Sequence, residues 1–258
     1  MYGRGGYRGG GIGFGPPVTP QIIKQLLIAN AAVFVVSALP PLAPWAELGA
    51  ARPLDFWQSF YVWQPFTYMW LHAGLLHVGM NMLALWMFGS PLASVWGPQR
   101  FLRFYLICGV GAGLLIVTVP YLLVNVFGAS PMELGARTIG ASGAVYGCLL
   151  AYSLTWPNRT IMLIFPPVAF RAIWLIPILF FMELYSAAPN VSHVGHLGGV
   201  LVAWLYLRRE GQTGRLLPTW NQLRYRLHRW RMRRRLRAVQ REQASWRERD
   251  RHDDRTLH

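Results

Sequence analysis

The fold of this chain is decided by residues 66–89, which read FTYMWLHAGLLHVGMNMLALWMFG. The stretch is apolar over a length that can cross a bilayer, because a membrane helix needs about 20 such residues. It nevertheless contains His72, His77 and Asn81. Polar and ionisable groups are costly inside a membrane, so they are functional candidates by default. The stretch therefore predicts a membrane span that carries part of a functional site.

Five further apolar segments share this character, and glycine, proline or both mark the breaks between them. The six predicted spans are residues 22–39, 66–89, 101–126, 141–156, 170–187 and 193–208. We therefore predict an all-α membrane protein built as a bundle of six transmembrane helices. The expected organisation is a flexible Gly-rich leader over residues 1–20, a membrane domain over residues 21–209 and a basic amphipathic tail over residues 210–258.

Composition and charge also favour a membrane protein. Hydrophobic residues make up 53% of the chain and charged residues 14%, against about 25% charged in soluble proteins. The net charge of +15 could indicate nucleic-acid binding, but sixteen of the 25 basic residues follow residue 207 and no recognisable nucleic-acid fold carries them. A basic segment beyond a membrane helix is instead expected to contact anionic lipid headgroups.

The tail carries an apolar stripe at three- and four-residue steps, which is typical of an amphipathic helix. Its members are Leu216, Trp220, Leu223, Leu227 and Trp230. Arginines fill the other face, so a solvated or lipid-adsorbed helix is predicted, with a regulatory or partner-binding role as the alternative.

The distribution of Lys and Arg predicts the orientation, because short cytoplasmic loops are rich in both. The residues that mark this side are Arg4, Arg8, Lys24, Arg100, Arg103, Arg159 and Arg171. The alternate loops carry only Arg52 and Arg137. Both termini are therefore predicted to be cytoplasmic, and the protein is predicted to cross the cell (inner) membrane several times. The first external loop, residues 40–65, is aromatic and is expected to lie partly in the outer interface.

A serine stands at the start of the fourth span, within the sequence GASG of residues 140–143. A serine hydroxyl is a poor nucleophile until a base removes its proton, and neutral histidine can do this near pH 7. His196 is the best-placed base for Ser142, because the sixth span enters from the same side as the fourth. The first turn of a helix also offers unpaired N–H groups and a positive dipole end that can hold an oxyanion.

Three further residues could complete this site. His77 and Asn81 are four positions apart, so they share a helix face, and both can donate hydrogen bonds. Together they could form an oxyanion hole with the backbone N–H of Ser142. Tyr146 lies one turn below Ser142 and could support the imidazole of His196 by stacking and hydrogen bonding.

Other interpretations of these residues involve no catalysis. Small residues around Ser142, like Gly199 and Ala203, could simply allow helices to pack closely. His77 and Asn81 could form a hydrogen-bonded link between helices.

A metal site is a further alternative, because the second and sixth spans carry more than one histidine each. His72, His193 and His196 could suggest ligands, but there is no HExxH pattern and no suitably spaced carboxylate. We therefore predict neither a metal nor a cofactor.

Three motifs resemble the rhomboid intramembrane serine proteases, of the basic bacterial six-span form. They are the span-two stretch quoted above, GASGAVYG at residues 140–147 and SHVGHLGG at residues 192–199, and WPNRTIMLIFPP at residues 156–167 also looks like that group. The resemblance covers about residues 57–207. It implies a six-helix bundle with a water-accessible cavity open to the outer face.

The resemblance also implies a role for each candidate residue. Ser142 would be the nucleophile of a Ser-His dyad without an acidic third member, and His196, which precedes Leu-Gly-Gly, would be its base. His77 and Asn81 would line the oxyanion hole with the N–H of Ser142, and Tyr146 would pack against His196. The substrates would be transmembrane helices of other proteins, cut at or near their outer ends.

Two positions depart from the pattern of that family. Gln64 follows Trp63 where the family often has Arg, and Ala93 stands where it often has an acidic residue. Both departures concern loop anchoring and stability. The alternative function is that of an inactive rhomboid-like protein that binds transmembrane clients, but such a relative would usually lack Ser142 or His196.

Overall fold

The computed structural model describes residues 15–162, 168–185, 192–210, 229 and 232. One compact unit comprises Met1–Glu210 and a second comprises Gly211–His258. Most of the predicted leader, and the apolar stripe predicted for the tail, lie outside the described residues.

Ten α-helices and one β-hairpin form the described part of the chain. The helices are α1 (Gln21–Ser37), α2 (Ala43–Gly49), α3 (Pro53–Gln58), α4 (Gln64–Thr67), α5 (Leu75–Ala84), α6 (Ser90–Trp96), α7 (Pro98–Phe127), α8 (Ser142–Thr155), α9 (Leu175–Tyr185) and α10 (His193–Arg209). The strands are β1 (Thr160–Met162) and β2 (Ala169–Arg171). Short 3₁₀ turns lie at Pro40–Leu42, Tyr68–Trp70, Pro131–Gly135 and Ala172–Trp174. A π-helical turn at Leu85–Gly89 joins α5 to α6.

Four predicted spans, the first, third, fourth and sixth, correspond closely to α1, α7, α8 and α10. Among the described helices, two are long and apolar enough to cross a membrane, Leu75–Trp96 and Pro98–Phe127. The pair Gln21–Ser37 and Pro40–Gly49, bent by 95°, would add a third if it is one span. The shorter α8 and α10 have 14 and 17 residues.

The second span begins later than predicted. It was expected from residue 66, but α5 begins only at Leu75. The residue before the helix, Gly74, has an extended backbone with φ 175° and ψ 174°. The side chain of His77 accepts a hydrogen bond from the N–H of Ala73 at 3.3 Å. The side chain at the third helical position thus holds the residue before the N-cap, one position earlier than in a capping box.

The hairpin of β1 and β2 corrects the prediction of an all-α chain. The two strands pair antiparallel, where a loop and the start of the fifth span were predicted. Ile161 and Phe170 stand directly opposite each other, and both residue types favour strands. As a result α9 begins only at Leu175.

Helix α8 lies at the centre of the bundle and contacts α5, α6, α7, α9 and α10. Its buried residues surround its axis, which is typical of a helix without a solvated face. Packing against α7 is close, because a Cβ added to Gly147 would lie 2.8 Å from the sulfur of Cys108. Cys108 and Cys148 are both free and buried, and both belong to the hydrophobic core.

The two positions that depart from the rhomboid pattern are both buried. Gln64 has no exposed surface, and its Oε1 accepts a hydrogen bond from the N–H of Arg52 at 3.1 Å. Ala93 belongs to the hydrophobic core and is 3% exposed. The loop between α1 and α4 therefore has an internal anchor at position 64, and an apolar contact occupies position 93.

Candidate active site

The side chains of Ser142 and His196 are hydrogen-bonded to each other. Ser142 is the first residue of α8, and His196 lies in the first turn of α10. The distance from His196 Nε2 to Ser142 Oγ is 2.8 Å. Both residues are partly buried. A histidine within hydrogen-bond reach of a hydroxyl is the arrangement that activates a serine as a nucleophile.

Ser192 determines where the helix that carries His196 begins. Its Oγ accepts a hydrogen bond from the N–H of Gly195 at 3.1 Å, and its carbonyl oxygen accepts one from the N–H of His196 at 3.1 Å. Serine is among the preferred N-cap residues because its hydroxyl satisfies an unpaired N–H of the first turn. The sequence around Ser192 thus fixes His196 at the end of α10 nearest to Ser142.

Two small-residue contacts let α8 and α10 approach each other. A Cβ added to Gly199 would lie 1.9 Å from the carbonyl oxygen of Gly143, where real Cβ atoms essentially never come within 3.0 Å. One turn further along, a Cβ at Gly147 would lie 3.4 Å from the Cβ of Ala203. The predicted packing role of Gly199 and Ala203 is therefore confirmed, and this packing brings the serine and histidine together.

The ring of Tyr146 stacks on the imidazole of His196. The two ring centroids are 4.2 Å apart and the planes are inclined by only 11°. Tyr146 lies four residues after Ser142 on α8, so both side chains face α10. The stacked ring limits how far the imidazole can rotate away from the serine.

The side chain of His77 directs a hydrogen-bond donor to the space beside Ser142. Its Nδ1 accepts from the N–H of Ala73, so a neutral His77 carries its proton on Nε2. A Cβ added to Gly140 would lie 2.7 Å from His77 Nε2 and 3.8 Å from Ser142 Oγ. Gly140 has φ +128°, a conformation that favours glycine. A small group placed at this point would therefore touch both side chains.

Asn81 and His72 both contact His77. Asn81 is buried on α5, and its Nδ2 donates to the carbonyl oxygen of His77 at 3.0 Å. His72 lies before α5, outside the helix in which it was predicted. Its ring packs edge-on against that of His77, with centroids 5.1 Å apart. Within the described ranges, no three His, Cys, Asp or Glu side chains form a group that could hold a metal ion.

The chain just before Ser142 is held by contacts that the sequence did not predict. Thr138 and Ala51 exchange two backbone hydrogen bonds, each of 2.9 Å. The N–H of Gly140 donates to the carbonyl oxygen of Tyr68 at 2.9 Å. These residues are distant in sequence and share no periodic pattern, so no local signal could have revealed their pairing.

The fold and the site define a class of protein. It is a helical membrane protein in which a serine on one helix is hydrogen-bonded to a histidine on another. The family model of the Rhomboid domain matches residues 59–210. The chain therefore belongs to the rhomboid family, whose members are multi-pass membrane proteins.

Several proteins resemble the chain over much of its length. Rhomboid protein 1, mitochondrial, of Saccharomyces cerevisiae is 30% identical over 199 residues, which are 72% of this chain and 52% of that protein. RHOMBOID-like protein 1 of Arabidopsis thaliana is 35% identical over 221 residues, which are 72% of this chain and 52% of that protein. Rhomboid protease GluP of Bacillus subtilis is 31% identical over 166 residues, 60% of this chain and 28% of that protein. The chain thus spans about half, or less, of the length of these relatives.

Proposed function

We propose that this protein is an intramembrane serine endopeptidase that cleaves transmembrane segments of other membrane proteins. The observation that carries the proposal is the 2.8 Å contact between His196 Nε2 and Ser142 Oγ. The family membership supports it, as does the similarity to the Bacillus subtilis relative, which is a rhomboid protease by name.

The first half of the reaction forms an acyl-enzyme. His196 Nε2 takes the hydroxyl proton while Ser142 Oγ bonds to the carbonyl carbon of the substrate peptide, which becomes a tetrahedral oxyanion. Nε2–H of His77 and the backbone N–H of Ser142 donate to that oxyanion, and we assign the second N–H of the Asn81 amide to the same hole. The C–N bond then breaks, and the leaving nitrogen takes the proton from His196.

The second half restores the enzyme with one water molecule. His196 removes a proton from water, whose oxygen attacks the acyl carbon, and the ester bond to Ser142 Oγ breaks as the proton returns to that oxygen. Water must therefore reach the pair. The partial exposure of Ser142, His77 and His196 supports a water-accessible cavity open to the outer face.

The distribution of charge along α10 supports the proposed orientation. His196 lies in its first turn, whereas Arg208 and Arg209 lie in its last, and Arg100 near the start of α7 is paired with Glu210 just after α10. Basic residues mark the cytoplasmic side. We therefore propose a six-span bundle in a cell membrane with both termini cytoplasmic and the site toward the outside. Cysteines introduced at Gly5 and Thr256 should react with an impermeant thiol reagent only from the cytoplasmic side, and labelling from outside would contradict this orientation.

The residues that flank the membrane domain have proposed roles of their own. The leader, residues 1–20, is proposed to lie on the cytoplasmic side. The tail, residues 210–258, is proposed to adsorb to anionic lipid headgroups, since sixteen basic residues follow residue 207. In the reconstituted protein, the tail should be cut more slowly by an added protease in anionic bilayers than in zwitterionic bilayers, and equal rates would contradict this role.

The proposal is tested by cleavage of a fluorescent single-span substrate with the purified, reconstituted protein. Ser142→Ala and His196→Ala should each abolish cleavage. Two matched controls lie on the same helices: Ser153→Ala, whose hydroxyl bonds the carbonyl of Leu149 at 2.8 Å, and His193→Ala, one turn before the proposed base. Both controls should retain cleavage.

The outcome also separates the protease from the alternative of an inactive protein that binds transmembrane clients. Cleavage that persists in the Ser142→Ala protein would contradict the proposal. Binding of the substrate by the wild type, without cleavage and without labelling by a fluorophosphonate, would favour the inactive alternative.

A further inference from the structure

The external loop contacts the chain segment that leads into Ser142. Ala51 and Thr138 exchange two backbone hydrogen bonds. One residue earlier on the segment, Arg137 Nη1 lies 2.9 Å from Glu47 Oε1. We call these two contacts, Ala51 with Thr138 and Glu47 with Arg137, the loop clamp. They connect the loop to a point four residues before Ser142.

The loop side of the clamp is itself anchored on α4. Gln64 is fully buried and accepts a hydrogen bond from the N–H of Arg52, next to Ala51. The hydroxyl of Thr67 donates to the carbonyl oxygen of Gly49 at 2.7 Å. Arg52 Nη2 also lies 3.0 Å from Glu47 Oε2. This ion pair within the loop orients the Glu47 carboxylate, which is the acidic member of the clamp.

The segment on the other side of the clamp has little regular structure to fix it. The segment runs from the end of α7 at Phe127 to the start of α8 at Ser142. Its regular structure consists of the 3₁₀ turn Pro131–Gly135 and the isolated bridge at Thr138. Gly140 adds the hydrogen bond to the carbonyl of Tyr68. Long-range contacts must therefore hold the last residues of this segment in place.

We infer that the loop clamp positions Ser142, by holding residues 137–140 so that its N–H and Oγ face His77 and His196. The inference rests on the proposed function. Glu47 and Arg137 touch no reacting atom in this scheme and act as positioning residues. Their side chains are about half-exposed, so the ion pair contributes only modestly to stability. Its effect on the reaction arises because small displacements of a nucleophile reduce the reaction rate.

The test combines a weakened clamp with a covalent replacement. Glu47→Gln with Arg137→Gln removes the ion pair. Adding Ala51→Cys and Thr138→Cys allows a disulfide, because hydrogen-bonded antiparallel partners have Cα atoms about 5.5 Å apart, within the range that disulfides span. The native cysteines are buried and should not compete.

Two readouts are measured in the full-length reconstituted protein. Hydrogen exchange of the peptide covering residues 136–142 reports restraint of the backbone. The rate at which a fluorophosphonate labels Ser142, with kcat and KM for a model substrate, reports positioning. In the weakened protein we expect faster exchange and a decrease of about threefold or more in labelling rate and kcat, with KM unchanged. Oxidation of the disulfide should restore both readouts and reduction should reverse the rescue.

The controls and contrary results are specific to the clamp. Arg100→Gln breaks an ion pair with Glu210 elsewhere in the bundle and should change neither readout. Wild-type exchange and labelling in the Glu47→Gln, Arg137→Gln protein would overturn the inference, as would a disulfide that restores exchange but not the labelling rate. If the wild type is neither labelled nor active, the proposed function fails by itself. In that case hydrogen exchange alone tests the clamp. Unchanged exchange in the weakened protein would overturn the clamp as well, whereas faster exchange that oxidation of the disulfide reverses would support the clamp as a backbone restraint.

Discussion

Gly199 on α10 lies directly against the carbonyl group of Gly143 on α8, so close that a Cβ at Gly199 would be 1.9 Å from that oxygen. Gly143 follows Ser142, and Gly199 lies one turn after His196. The contact therefore sets the spacing of the two helices at the level of the serine and histidine. Because it involves backbone atoms, it cannot be relieved by rotating a side chain.

The first prediction follows from this contact. Gly199→Ala should push α8 and α10 apart and lower the rate of fluorophosphonate labelling of Ser142 by about tenfold or more, with a loss of about 1–3 kcal/mol in stability from overpacking. The matched control is Gly79→Ala on α5, where an added Cβ meets nothing within 4 Å. That variant should label as the wild type does. A normal labelling rate for Gly199→Ala would mean that the spacing is set elsewhere.

The second prediction concerns the ring stacked on His196. Tyr146→Ala should lower kcat about tenfold, because an aromatic contact of this kind is worth roughly 0.5–1.5 kcal/mol and restrains the imidazole. Tyr146→Phe keeps the ring and should retain kcat within about threefold. The comparison is made with a model transmembrane substrate. If the Phe variant loses as much activity as the Ala variant, the hydroxyl and not the stacking is what matters.

The third prediction tests the assigned oxyanion donor. His77→Ala should lower kcat by about 10²-fold with little change in KM, because the lost hydrogen bond forms only as charge develops. Leu76→Ala, at the adjacent and 79% exposed position, is the matched control and should behave as the wild type. A raised KM at constant kcat would instead assign His77 to substrate binding.

The fourth prediction uses the glycine that faces both His77 and Ser142. Gly140→Ala should abolish cleavage, because its Cβ would fall 2.7 Å from His77 Nε2 and φ +128° is unfavourable for alanine. Gly135→Ala lies in the same connecting segment, and an added Cβ there meets nothing within 4 Å. Cleavage rates and thermal stability of the two variants are compared. Wild-type activity in Gly140→Ala would show that the space beside His77 is not the oxyanion hole.

Much of the fold was predictable because the helices end at strong local signals. The Gly97-Pro98 pair separates α6 from α7, and the Trp156-Pro157 pair follows directly after the end of α8. Close helix packing at Gly199 and Ala203 was also predictable from their small side chains, whereas its partner, α8, was not. These features depend on residues close in sequence, which is what hydropathy and spacing report.

The start of α5 and the segment before Ser142 were not predictable in this way. Residues 66–74 are as apolar as a membrane helix, but α5 begins only at Leu75, and the ring of His77 accepts a hydrogen bond from the N–H of Ala73 just before it. The bridge of Ala51 with Thr138 joins two short extended pieces without a periodic pattern. Both features depend on a particular three-dimensional neighbour, and the propensity of the local sequence does not specify one.

If His196 activates Ser142, a fluorophosphonate should modify Ser142, and peptide mass spectrometry identifies the modified residue. The wild-type protein should carry one adduct, on Ser142, and the His196→Ala protein should form it at least about 10³-fold more slowly. An adduct on another residue, or labelling of Ser142 at the wild-type rate in the His196→Ala protein, would contradict the proposed dyad.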